Sequence, residues 1–275
     1  AHCDIHDAIL YWSVAAIKND FTGTIIDYGT FPEQPLPHFS MHNLKRKLQE
    51  FTKAESAEEA IVLGVQHVAD AVGSKVYATP DGETLQLASM LFDIGYKPEE
   101  VSKGIRLSRF ANVCYGSRGV GIGPTEKPMP EYDVSAKKMR RAGPNPQRPR
   151  WYVPRESVSG VPIIRFDANY WKSLAAARLM QKRQTAGEWS LYGNHRINHS
   201  HYCDHLVSEE PIPTTAKGRT VVQWKQRPNQ ENHWFDTFVG CTVAASLIGV
   251  PLPGGAQTQP VTRPKVKRNR SFVDF

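Results

Sequence analysis

Apolar positions in the first thirty residues follow a strand pattern. Residues 5–17 are rich in strand formers (Ile9, Leu10, Tyr11, Trp12, Val14), and 23–28 return after the polar turn Lys18-Asn19-Asp20, which predicts a β-hairpin. Pro32, Pro35 and Pro37 then stop regular structure. From about 42 to 72 the period turns helical. Leu44, Leu48 and Phe51 share one face of a first piece, and Ala60, Leu63, Val68 and Val72 serve a second. After the turn Thr79-Pro80-Asp81-Gly82, the apolar run 85–92 ends in Asp93-Ile94-Gly95-Tyr96, and Pro98 opens a helix with Glu99 and Glu100 in its first turn.

Residues 110–115 predict a further buried strand, whereas 116–160 are rich in Gly, Pro and Arg and read as a long loop or insertion. A strand over 161–166 runs into Asp167 and a helix over 170–184. Next come a polar, His-rich stretch at 193–205 and a strand at 220–226. A helix over 231–248 sends Phe235, Val239, Val243 and Leu247 to the core. Alternating strands and helices behind an antiparallel opening hairpin predict an α/β fold: a mixed sheet flanked by helices. The expected organisation is one domain over 1–250 and a basic tail over 251–275.

Composition narrows the function classes. With 40% hydrophobic residues the chain can bury a real core, and no apolar run is long enough to span a bilayer. The opening Ala1-His2-Cys3-Asp4 has no secretory pattern and no initiator Met, as expected of a piece of a longer chain. Cys3, Cys114, Cys203 and Cys241 are scattered without a CxxC pair, which suits a reducing compartment. The net charge of +7 favours an anionic partner, and its distribution sharpens that expectation. Lys137, Lys138, Arg140, Arg141, Arg148, Arg150 and Arg155 crowd 137–155 without an acid, and Arg263, Lys265, Lys267, Arg268 and Arg270 load the tail. Basic, Pro-bearing segments of this kind suit a nucleic-acid backbone.

Three aspartates carry the candidate chemistry. Asp4 lies on the first strand, Asp93 ends a later one, and Asp236 sits early in the last helix. Strand ends beside helix termini line one crevice in an open α/β sheet. Clustered carboxylates there suit hard cations such as Mg²⁺ or Mn²⁺, two of which can clamp a phosphodiester. Aspartate also serves routinely as a cap or turn residue, so spacing alone does not separate the two roles. The run 116–123, which includes Arg118, lacks the Gly-Lys-Ser/Thr end of a phosphate loop and reads as a flexible or DNA-touching loop. His195, His199, His201, Cys203 and His205 match no standard zinc spacing, and polar loop histidines near DNA are expected there.

Several short segments, in order, resemble the nuclease domain of lambda-type large terminase subunits of tailed bacteriophages. They are His2-Cys3-Asp4-Ile5-His6-Asp7, Ile25-Ile26-Asp27-Tyr28-Gly29, Phe92-Asp93-Ile94-Gly95-Tyr96, Asp167-Ala168-Asn169-Tyr170-Trp171-Lys172 and Asn232-His233-Trp234-Phe235-Asp236. The resemblance implies a ribonuclease-H-like sheet with helices on both faces and two-metal cleavage of concatenated double-stranded phage DNA. It makes Asp4 the ligand bridging two Mg²⁺ or Mn²⁺ ions, with Asp93 and Asp236 each holding one; Glu231 and Asp7 are the alternatives if the register differs. The implied partners are an ATPase domain in the same full-length chain, a small terminase subunit and the capsid portal, in the host cytoplasm and without a membrane. A transposase or integrase-like nuclease is the nearest rival, and a catalytically silent basic DNA-binding module is the rival from another class.

Overall fold

The computed structural model describes residues 1–79, 81–132, 150–193 and 197–253, and the backbone of 139–142. The opening segment is two strands rather than one. β1 (His2–Ile5) and β2 (Leu10–Ile17) pair antiparallel, and β3 (Gly23–Phe31) continues the meander. No helix forms over 42–47; α1 (Leu48–Thr52) and α2 (Ala57–Ser74) follow, the latter capped by Ser56 accepting from the Glu59 N–H. Phe51 and Leu63, expected in the core, are exposed. A two-residue ribbon, β4 (Tyr77–Ala78) and β5 (Thr84–Leu85), precedes β6 (Met90–Asp93), α3 (Pro98–Leu107) and β7 (Cys114–Val120).

The stretch 116–160 departs most from its expected loop character. The second half of β7 lies in it, followed by β8 (Met139–Ala142), β9 (Trp151–Pro154) and β10 (Ser157–Val158). Trp151 is fully buried and its indole N–H donates to Ser246 Oγ at 2.8 Å, so long-range packing organises a segment whose composition suggests a loop. Then come β11 (Val161–Asp167), α4 (Ala168–Leu179), β12 (Trp189–Leu191) and α5 (Ser200–Leu206). A separate ribbon of β13 (Glu209–Ala216) and β14 (Arg219–Gln226) leads to α6 (His233–Leu247). Pro211 and Pro213 are tolerated in β13 because the ribbon joins no larger sheet.

The main sheet has ten strands in the order β12-β3-β2-β1-β6-β7-β11-β9-β8, with β10 on β11. β1, β6, β7 and β11 run parallel, and antiparallel strands flank them. This is a mixed α/β sheet of the ribonuclease-H-like type, with helices on both faces. One core joins Leu10, Val14, Cys3 and Ile5 to α2 and α3; the other joins Tyr11, Ile25, Leu91 and Ile164 to α4 and α6. Strand alternation sorts the residues. Cys3 and Ile5 face α2 and α3, which sends His2 and Asp4 toward α6; Phe92 and Leu91 place Asp93 on that same side. Among the described residues, no helix is long and apolar enough to cross a membrane.

Every residue of α6 is buried except Asp236. The expected single apolar stripe is therefore an understatement, because α4 and α5 cover the sides that the sheet leaves. Close approach of α6 to β1 depends on Gly240, where an added Cβ would stand 2.0 Å from the His2 ring. Gly240→Ala is expected to destabilise the fold by about 1–3 kcal/mol in urea denaturation. Gly121→Ala, whose Cβ would meet nothing within 4 Å, should shift stability by less than about 0.5 kcal/mol. Equal stability of the two variants would contradict the packing described.

Candidate active site

The three aspartates converge. Parallel pairing of β1 with β6 sets Cys3 opposite Phe92, so Asp4 and Asp93 follow side by side at the carboxyl ends of adjacent strands. The first turn of α6 brings Asp236 to the same place, and the charges of Asp4 and Asp236 both act on Asp93. Asp93, Asp236, Lys172 and Arg118 line an open cleft of about 380 Å³, with His2, Ser117 and Gly119 in its wall.

Each carboxylate is held differently. Asp4 Oδ2 lies 3.0 Å from His6 Nε2 and 3.0 Å from His233 Nδ1. Burial opposes its charge, but hydrogen bonds from the two imidazoles outweigh that and hold its carboxyl well below the usual range. The His6 ring is pulled down by burial and up, more strongly in sum, by Asp4 and the two other aspartates. Asp93 Oδ1 accepts the Gly95 N–H at 2.8 Å. Burial, then the neighbouring Asp4 charge, push its pKa up to about 6. Asp236 is also pushed up to about 6, by burial first and by Asp4 and Glu209, against the opposing ammonium of Lys172.

Lys172 ties this side together. Its Nζ lies 2.9 Å from Asp236 Oδ1 and 2.5 Å from Glu209 Oε1, while the Asn232 side-chain amide donates to Glu209 and to Asp236 Oδ2. Lys172 was legible only as part of the segment 167–172, and His6 only as a neighbour of Asp4; neither had a chemical signal of its own. His233 and Glu209 are brought in by folding from 229 and 205 positions away from Asp4.

The alternative acids make other contacts. Asp7 accepts the Tyr96 hydroxyl at 2.8 Å. Glu231 accepts the Met41 N–H at 2.7 Å and lies 3.8 Å from His233 Nε2, on the far side of the imidazole that holds Asp4. Of the expected DNA-contacting residues, Arg118 is exposed at the cleft. Arg150 pairs with Asp167 at 3.4 Å and lies over the Tyr170 ring. Lys137, Lys138 and Arg148 lie outside the described residues, as do His195 and the basic tail beyond 253; Arg140 and Arg141 are described only as β8 backbone. Part of the expected His-rich loop is helix α5.

The donor set fits a hard divalent cation. Asp93 and Asp236 line the cleft and resist ionisation, and the Asp4 carboxylate lies near enough for its charge to act on both. That resistance has a measurable sign. The folded-state pKa of Asp93 is raised from its ordinary 3.8 to about 6. The native state thus binds more protons than the unfolded one across that window, and its stability falls as pH rises through it. In EDTA at pH 7.5, Asp93→Asn should be more stable than the parent by about 1–2 kcal/mol, after allowance for solvent at the cleft. The gain should vanish near pH 4. Parent and variant of equal stability at pH 7.5 in urea denaturation would count against a strained carboxylate cluster.

One protein family, described as terminase large subunit gpA, endonuclease domain, has a model that matches residues 4–256. No curated protein and no solved structure matches the chain. The match covers nearly all of the sheet and all three aspartates. The chain belongs to the endonuclease-domain family of the terminase large subunit gpA, whose nuclease role lies in phage DNA packaging.

Proposed function

We propose that this domain cuts concatenated double-stranded phage DNA during genome packaging, by hydrolysing a phosphodiester with two Mg²⁺ or Mn²⁺ ions held by Asp4, Asp93 and Asp236. The observation that carries the reading is a cleft lined by Asp93 and Asp236, with the buried Asp4 charge acting on both, in a nuclease-family fold. Bound there, the ions supply Lewis-acid polarisation of the phosphate and a more acidic water. By the resemblance to lambda-type terminase nucleases, Asp4 would be shared by both ions, and Asp93 and Asp236 would each hold one. His6 and His233 fix the Asp4 carboxylate in place and keep it ionised. Lys172 holds Asp236 and adds positive charge where a phosphate would approach.

Arg118 at the cleft mouth suits a backbone phosphate, and the basic segment 137–155 extends the same role in this reading. Arg150 is different: its pairing with the α4 N-cap Asp167 gives it a part in holding β9 and α4. The domain would work beside an ATPase domain of the same full-length chain, a small terminase subunit and the capsid portal, in the host cytoplasm.

Asp4→Asn, Asp93→Asn and Asp236→Asn should each lower plasmid nicking in Mn²⁺ by roughly 10³-fold or more, and combined losses should be far from additive. DNA binding and the circular dichroism spectrum should stay close to the parent's. Parent-like nicking by any one variant removes that residue from the site, and nicking by none of the proteins favours the silent DNA-binding reading.

DNA binding titrated against salt separates the two arginines. Arg118→Ala should flatten the slope of log K against log salt by about 0.9, the release expected for one phosphate contact on duplex DNA. Arg150→Ala should leave the slope alone and destabilise the fold by about 1–3 kcal/mol, because Asp167 loses its partner. A flattened slope in the Arg150 variant only would reverse the assignment.

A further inference from the structure

A second cluster of ligating side chains lies outside the aspartate cleft, on the far side of His233. One ring nitrogen each from His38 and His201 and a carboxylate oxygen of Asp204 lie within 4.8 Å of one another. Asp204 and His201 are three residues apart on α5, and that spacing puts them on one face of the helix. His38 comes from the connection between β3 and α1, more than 160 positions earlier in the chain. All three open onto a pocket of about 470 Å³ that His205 and Glu231 also line.

The cluster is partly set before any ligand arrives. The Phe39 N–H donates to His201 Nε2 at 3.3 Å, and the ring packs edge-on against Trp234 and Phe39. His38 Nε2 lies 3.0 Å from Ser200 Oγ, which leaves Nδ1 facing Asp204 Oδ2 at 3.7 Å. Ligands at about 2.0–2.1 Å in a tetrahedral shell stand roughly 3.3 Å apart, so small movements of exposed side chains close the set. Two imidazoles and one carboxylate prefer a borderline transition metal to Mg²⁺.

We propose that His38, His201 and Asp204 bind one divalent transition-metal ion of the zinc type, with water completing the shell. The run 195–205 contains no closed zinc spacing by itself; His38 supplies the distant ligand. The ion ties the β3–α1 connection to α5. That connection carries Met41, whose N–H holds Glu231, and Phe39, which stacks on Tyr11 beside His233. Metal at this clamp therefore stiffens the wall behind the histidine that holds Asp4, without touching the reacting groups.

The test uses untagged 275-residue protein titrated with Co²⁺ in excess Mg²⁺, followed by the visible d–d absorption of the bound ion. The parent should bind one more Co²⁺ per chain than His38→Ala does, and Zn²⁺ should displace it. His38→Ala and Asp204→Asn, both at exposed positions, should each weaken binding by roughly tenfold or more with an unchanged circular dichroism spectrum. Asp4→Asn should keep the one Co²⁺ that His38→Ala loses, which keeps this result separate from the fate of the nuclease reading. Equal Co²⁺ binding by the parent and His38→Ala, loss of that one ion in Asp4→Asn, or no saturable binding at all would overturn the proposal.

Discussion

Two imidazole nitrogens, His6 Nε2 and His233 Nδ1, meet one carboxylate oxygen of Asp4 at 3.0 Å, and the site depends on that junction. Asp4 is buried at the point where the sheet touches α6, and an ionised carboxylate there costs several kcal/mol unless hydrogen bonds compensate it. The two rings supply that compensation from different elements. His6 follows β1 directly, while His233 opens α6, so the bond to Asp4 also docks the last helix onto the first strand. Once α6 is docked, Asp236 lines the cleft, where Lys172 and Asn232 hold its two oxygens.

The surrounding fold makes this arrangement possible by geometry rather than by local strength. Alternation along β1 puts Cys3 and Ile5 into one core and His2 and Asp4 against α6. Gly240 lets the helix backbone reach the His2 ring, and His2 in turn reaches Ser117 on β7 at 3.1 Å. Lys172 on α4 then closes the fourth side through Asp236 and Glu209. For Asp93 and Asp236, burial outweighs the partners they have. Burial pushes both carboxyls up to about 6, and a cation bound in the cleft would relieve that, which is why the proposed chemistry is metal-dependent.

Much of this frame is legible in the sequence, for identifiable reasons. The hairpin over β2 and β3, the strand ending at Asp93 and the helix carrying Asp236 all follow from local periodicity, and the ordered short segments resembling one nuclease family point to its membership. Residues defined by long-range contacts stay hidden. Nothing near His233 announces that it faces Asp4, and Glu209 and Lys172 become a pair only when α4 and β13 meet. Composition misleads at 116–160, where Gly, Pro and Arg suggest a loop, yet Trp151 anchors β9 in the core through Ser246. It misleads again at α5, where a polar, His-rich run forms a helix because Tyr202 and His205 are buried against α6 and Tyr28.

The central claim is that Asp4, Asp93 and Asp236 form one metal centre, and the electron paramagnetic resonance of bound Mn²⁺ tests it most directly. With two ions about 3.5–4 Å apart, the account predicts a spin-coupled spectrum at saturation that Asp4→Asn abolishes. Asp93→Asn and Asp236→Asn should each leave at most one uncoupled ion. A spectrum of isolated Mn²⁺ in the parent protein, or coupling that persists without the Asp4 carboxylate, would contradict it.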